Sequence, residues 1–339
     1  MKKLSITSKN NFIKKILIKL IRKIGYEVID QSIMFSPTKN KYYENNFSEI
    51  NKKNIVLPIG EIKITRKVKS LLIIFRSFTN EDNQLSVRKK RIFECEKKEY
   101  TLRALNSLCK SISIAQKRFQ NLKFFLKIID DNSKPNIKEN LKNIVDIYKL
   151  NFEITNLNVE KYRDKQKFSN NNRMIAHNAH IFASKEYAKK ADYDLIYFVE
   201  DDYLHLNNSI SEMILTFEKF STIFKEDIIL CPSDYPYLYQ QSYKSLILIG
   251  EKNHWRSVDQ TLCTYLISNK TLINYWDYYY EMMTNNHSPY EKNLHEIYKK
   301  SVCFSPIPSL SIHLANLNTI YGLSPLTNWK KIWEENKYD

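Results

Sequence analysis

Between residues 68 and 235, short, largely apolar runs alternate with longer segments in which apolar residues recur every three or four positions. The runs are residues 71–75 (LLIIF), 124–129 (FFLKII), 152–157 (FEITNL), 193–199 (YDLIYFV) and 227–231 (DIILC). Runs of this length suit strands buried on both faces. The segments between them, residues 100–120, 137–148, 174–190 and 209–220, carry helical periodicity. Strands alternating with helices predict right-handed βαβ units, and so an α/β fold with a mostly parallel central sheet flanked by helices. In such sheets ligands bind beyond the carboxyl ends of the strands.

The pattern differs on either side of this region. Residues 10–25 (NNFIKKILIKLIRKIG) predict an amphipathic helix, with Phe12, Ile13, Ile16, Leu17, Leu20, Ile21 and Ile24 at helical spacing. Lys14, Lys15, Lys19, Arg22 and Lys23 fall mostly on its other side, and no acid precedes Glu27. Such a helix suits either an anionic membrane surface or the protein's own core. Residues 26–68 are polar, with short β-like pieces at 54–57 and 61–65, and residues 81–97 read as a charged, exposed insertion. After residue 235 the pattern weakens, and only residues 246–249 form a strong apolar run. These shifts divide the chain into an N-terminal extension, 1–67, and a main domain, 68–339, itself split into halves at 68–235 and 236–339.

The net charge is +16. The chain is saturated with Lys, Asn, Ile and Tyr throughout, so the excess is largely compositional. It fits a phosphate-bearing substrate or a membrane surface. No nucleic-acid module is recognisable, so nucleic acid is not expected as a partner. Five cysteines, none at metal-ligand spacing, point to a reducing compartment. No apolar stretch is long enough to span a membrane. The expected location is cytoplasmic, with peripheral attachment to the inner face of the cell membrane as the alternative the helix raises.

Two acidic clusters fall at predicted strand ends. Glu200-Asp201-Asp202 follows a buried strand. Three adjacent carboxylates resist joint ionisation unless a cation neutralises them, and oxygen ligands suit Mn²⁺ or Mg²⁺. Asp130-Asp131-Asn132-Ser133 reads either as a turn fastened by its own side chains or as a carboxylate that accepts N–H bonds from a nucleobase. His254-Trp255-Arg256 reads as a loop, with Trp255 suited to a sugar face and Arg256 to a diphosphate.

Taken together, the clusters resemble the family 2-like GT-A glycosyltransferases over residues 70–235, and more loosely to His313. The carrying residues are Ile128-Ile129-Asp130-Asp131-Asn132-Ser133, matching a V-D-D-x-S-like turn, and Ala176-His177-Asn178-Ala179-His180, matching an R-N-A-G-like segment with His in place of Gly. Phe198-Val199-Glu200-Asp201-Asp202 matches the D-x-D-like motif. The resemblance implies the GT-A nucleotide-diphospho-sugar transferase fold and a hexosyltransferase-type, inverting enzyme assisted by Mn²⁺ or Mg²⁺. Its partners would be a nucleotide-sugar donor and a glycan or lipid-linked acceptor, in surface polysaccharide synthesis. By the same resemblance Asp130 contacts the base, Asp201 the ribose or metal, and Asp202 the metal. Arg76 and Asn178 join the nucleotide-sugar contacts. His313, closing a P-x-x-x-x-H-like stretch, is a metal or diphosphate ligand. The acid pair that supplies the base in inverting members is replaced by Glu291 next to Lys292, so Glu291 is the first candidate for the base, with Asp259 and Glu296 behind it.

No glycine-rich turn follows the first strand, and neither a P-loop nor a G-x-S-x-G elbow occurs. The competing readings are a metal-dependent nucleotidyl- or phosphotransferase using the same strand ends, and an inactive GT-A-like module that binds glycan.

Overall fold

The computed structural model describes residues 12–26, 28, 53–56, 60–79, 92–167, 171–239, 244–286, 289–314 and 323–338. In chain order the elements begin with α1 (Phe12–Lys23), β1 (Lys53–Val56), β2 (Gly60–Lys63), β3 (Ser70–Ser77) and α2 (Lys97–Arg118). They continue through β4 (Lys123–Asp130), α3 (Pro135–Ile147), β5 (Phe152–Asn156), α4 (Glu160–Arg163), α5 (Asn172–Lys190), β6 (Leu195–Glu200), β7 (Tyr203–His205), α6 (Ser209–Phe224) and β8 (Ile229–Leu230). A 3₁₀ turn, Pro236–Tyr239, leads to β9 (Ile247–Ile249), β10 (His254–Val258), β11 (Tyr265–Ser268), α7 (Asn269–Asn274), α8 (Trp276–Thr284) and α9 (Lys292–Tyr298). The last elements are β12 (Cys303–Ile307), β13 (Ser311–His313) and α10 (Trp329–Glu335).

Nine strands form one sheet in the order β5-β4-β3-β6-β11-β8-β12-β10-β9. β5, β4, β3 and β6 are mutually parallel, β11 runs against both β6 and β8, β12 is parallel to β8, and β10 runs against β12 and β9. Seven strands therefore point one way and only β11 and β10 the other, so the sheet is mostly parallel, as the alternating pattern predicts. The sheet also runs unbroken across residue 235, joining strands from both halves of the chain.

The strands of its centre are apolar on both faces because helices cover both. Leu71, Ile73, Phe75, Leu126, Ile128, Tyr197 and Val199 pack with residues of α2, α3 and α6. Leu72, Ile74, Ile129, Ile196 and Phe198 pack on the other face with α5, α8 and α9. Alternate residues of one strand thus enter opposite layers, and each fully buried side chain of this size stabilises by roughly 1.5–3 kcal/mol. At the amino ends of the strands Arg66 reaches Asp194 at 2.7 Å and Asp227 at 2.8 Å, stitching the entry to β3 to the feet of β6 and β8.

Three sequence expectations need correction. Most of the charged stretch 81–97 lies outside the described residues, but Ile92 and Lys97 are buried, and Lys97 starts α2. Residues 254–256 form strand β10 and not a loop. Trp255 is wholly buried, its Nε1 donating to Glu212, so it cannot stack on a sugar. No helix among the described residues is long and apolar enough to cross a membrane.

Candidate active site

The parallel strands deliver their carboxyl ends to one edge of the sheet, and both acidic clusters stand there. β3 lies between β4 and β6, with Ser77 level with Asp130 and Arg76 level with Glu200. That register decides what each carboxylate meets first.

The acid triplet is divided among different partners. Glu200 pairs with the buried Arg76 at 2.8 Å. Asp201 turns inward, accepting from Lys97 Nζ at 2.5 Å, Thr101 Oγ1 at 2.9 Å and the Phe78 amide at 2.8 Å. Asp202 faces His313, whose Nε2 is 3.6 Å from Asp202 Oδ1. Three adjacent acids therefore do not by themselves require a metal, since Arg76 and Lys97 already neutralise two of them. Asp201, expected at the ribose or metal, is instead a buried fastener between β6 and α2.

β7 and β13 bring the Asp202–His313 pair together. They form a small antiparallel ladder in which His313 stands opposite Tyr203, and the Leu314 amide donates to the Asp202 carbonyl. The Tyr203 ring stacks on His313 at 4.6 Å, and its hydroxyl meets that of Tyr235 at 2.7 Å. An oxygen and an imidazole nitrogen this close could share one divalent cation, and the donor types suit Mn²⁺. No group of three or more His, Cys, Asp or Glu side chains among the described residues is placed to hold a metal. The described residues thus offer two donors, and the remaining positions would fall to a ligand and water.

Glu291 joins this cluster from the far half of the chain. It precedes α9, half-buried. Burial pushes its carboxyl up to about 7; Glu200 adds to the shift, while its own backbone amide and His313 oppose it. A carboxyl near 7 is poised to take a proton at neutral pH. Asp259 is not brought here. It is exposed beyond Val258, which pairs with Cys303 at the start of β12, and its charge acts on His295. Glu296 is also exposed away from the cluster, paired with Lys299.

The turn after β4 holds two carboxylates with different duties. Asp130 is fully buried. Its oxygens accept from Ser77 Oγ at 2.7 Å, Ser133 Oγ at 2.6 Å and the Ser133 amide at 3.0 Å, with Lys138 at 3.4 Å. These bonds close the turn, in which Asn132 takes a left-handed φ of 55° that asparagine tolerates. Among the described residues Asp131 accepts only from the Asn132 side chain, at 3.1 Å, and burial and Asp130 raise its carboxyl. Asp131, not Asp130, is the carboxylate of this turn with bonding capacity to spare. The sequence places the two side by side and cannot say which one turns inward.

Asn178 also serves the scaffold. Its amide donates to Gln166 Oε1 at 2.9 Å and to the Asn285 carbonyl at 3.2 Å, holding the segment that leads towards Glu291. His180, standing where the family has Gly, makes a 2.8 Å bond to the Ile129 carbonyl, so its Nε2 carries the proton. Burial lowers both His177 and His180 to about 3, so both are neutral. Arg256 is held by buried Asp234 at 2.6 Å and lies over the Tyr239 ring at 4.2 Å. No described contact links it to the Asp202–His313 pair.

No family model and no curated protein matches this sequence. Solved structures with remote similarity include residues 1–349 of Staphylococcus aureus TarS, at 12% identity and a TM-score of 0.39, covering 70% of this chain and 57% of that one. The galactosyltransferase LgtC, solved with donor and acceptor sugar analogs, has 12% identity and a TM-score of 0.34, covering 66% of this chain and 70% of that one. GalNAc-T7 with UDP, GalNAc and Mn²⁺ has 12% identity and a TM-score of 0.43, covering 74% of this chain and 44% of that one.

Proposed function

We propose that the chain is an inverting glycosyltransferase that moves a sugar from a nucleotide-sugar to a hydroxyl of a glycan or lipid-linked acceptor. The observation that carries this reading is the convergence of Glu291, with its carboxyl near 7, and the Asp202–His313 pair at the strand ends. The motif resemblance over residues 70–235 supplies the reaction class.

In this reading Asp202 and His313 hold Mn²⁺ or Mg²⁺, which when bound offsets the charge of the diphosphate. Asp131 accepts from the base of the nucleotide. Glu291 takes the proton of the acceptor hydroxyl as its oxygen bonds to the anomeric carbon. The bond from that carbon to the diphosphate oxygen breaks, and the nucleoside diphosphate leaves with the electron pair. Burial, with Glu200 adding to it, keeps Glu291 protonatable near neutrality, and Arg76 fixes the position of Glu200.

The test is release of nucleoside diphosphate from a panel of UDP- and GDP-sugars with Mn²⁺. Turnover of at least one donor, lost in Glu291→Gln, is the expected result. Absence of turnover combined with measurable glycan binding would replace the enzyme reading with a binding module.

A further inference from the structure

One apolar stripe of α1 stays largely uncovered within the described structure, beside the half-buried Ile18 and Ile21. Ile16, Leu17, Leu20 and Ile24 keep 45%, 55%, 57% and 71% of their surface exposed, and Tyr26, just past the helix, keeps 70%. None of the three core clusters includes a residue of α1. At about 100° per residue, Ile16, Leu20, Ile24 and Leu17 fall within about 100° of the helix surface. Lys19, Arg22 and Lys23 occupy a neighbouring arc of similar width. Ile18 and Ile21 are half-buried, whereas the stripe of Ile16, Leu17, Leu20 and Ile24 is exposed and belongs to none of the described core clusters, so it is this stripe that is left for a partner. A twelve-residue amphipathic helix is marginal in water unless its apolar side meets something.

We propose that α1 docks in the plane of an anionic lipid bilayer, with Ile16, Leu17, Leu20 and Ile24 at the acyl boundary and Lys19, Arg22 and Lys23 among the headgroups. Charge selects this occupant. The first 26 residues hold eight basic residues and no acid. A second copy of α1 would cover the apolar stripe but would bring Lys19 and Lys23 against their like. Nucleic acid would satisfy the cations and leave the stripe in water. An anionic bilayer meets both demands, and Tyr26 has the amphipathic ring that suits its interface. The docking does not depend on which reaction the carboxylates perform.

The test uses the full chain and sedimentation with vesicles of two parts phosphatidylcholine to one part phosphatidylglycerol, at low salt. The chain should pellet with these vesicles, not with phosphatidylcholine alone, and should detach as salt screens the surface charge. Lys19→Gln should weaken binding about fivefold, the factor that corresponds to about 1 kcal/mol per basic residue. The double variant Leu17→Gln/Leu20→Gln should fail to pellet while keeping the melting temperature of the parent. Three results would overturn the proposal. The parent chain could ignore the anionic vesicles, or the double variant could pellet as the parent does. The double variant could also melt lower or change from dimer to monomer, which would mean that protein covers the stripe.

Discussion

His313 Nε2 stands 3.6 Å from Asp202 Oδ1, one from β13 and the other from the turn after β6. The two elements meet through the β7–β13 ladder, so the pair is built by backbone pairing and not by flexible loops. Rigid placement of two donors is what a weak, ligand-completed metal site needs. Asp202→Asn and His313→Ala should each lower Mn²⁺ affinity by roughly tenfold or more, measured by titration in the presence of a nucleoside diphosphate. Full activity in excess EDTA would remove the metal from the reaction.

Glu291 makes a second prediction through its pH profile. Its carboxyl lies at about 7 because burial and Glu200 disfavour the charge. As a base it works only when ionised, so the rate should climb as pH rises through about 7 and then level. Glu291→Gln should slow turnover by roughly 10²–10⁴-fold and abolish that climb, while nucleotide affinity changes little. A variant that keeps the ascending limb assigns the titration to another group.

Much of this arrangement is legible in the sequence because it depends on strand ends. A short apolar run bounded by turn residues reads as a buried strand, and whatever follows such a strand emerges at the sheet's edge. That places Asp130, Asp131 and the Glu200–Asp202 run without reference to tertiary contacts. Division of labour among them is not legible. Lys97 silences Asp201 from a helix start that reads as part of a charged, exposed insertion, and Ser77 and Ser133 consume Asp130. The carboxyl half is harder still. Its strands are three to five residues long and mix Trp, Arg, Ser and Pro with apolar residues, so β10 and β12 show no period to count. Their burial comes from tertiary packing, Trp255 and Phe304 against Phe220 of α6.

The turn after β4 separates two neighbouring carboxylates experimentally. Asp130→Ala would leave the Ser77 and Ser133 donors buried without an acceptor and should cost roughly 1.5–3 kcal/mol of stability. Asp131→Asn removes one charge from a carboxylate bonded only to Asn132, so stability should change little while nucleotide affinity drops by about tenfold or more. Thermal melts and calorimetric titration with free nucleotide read the two effects independently. The reverse pattern, a stable Asp130→Ala that no longer binds nucleotide, would restore Asp130 as the base contact.

The last prediction concerns stability at the opposite edge of the sheet. Glu218, on α6, is 6% exposed and accepts from the Val68 amide at 2.8 Å. Burial pushes its carboxyl up to about 7, against the pull of the Val68 amide, Arg66 and Lys67. An unfolded glutamate titrates near 4.3. The folded state therefore holds this proton more tightly, and the stability it confers is complete below the unfolded value and is lost as pH rises through about 7. Above that, the ionised, buried carboxylate costs on the order of 3 kcal/mol relative to its neutral form. Buried imidazoles act in the other direction. His177, His180 and His205 are all lowered to about 3, so their contribution is present above about 6.5 and lost as pH falls. The parent's pH–stability curve mixes both slopes, and only a difference curve isolates Glu218. Glu218→Gln keeps an acceptor for the Val68 amide and cannot ionise. Denaturant unfolding should show it equal to the parent below about pH 4 and more stable by about 1–3 kcal/mol at about pH 8, the gap opening between those values. A gap that stays constant with pH would mean that Glu218 does not titrate in this range, and that Arg66 keeps it charged.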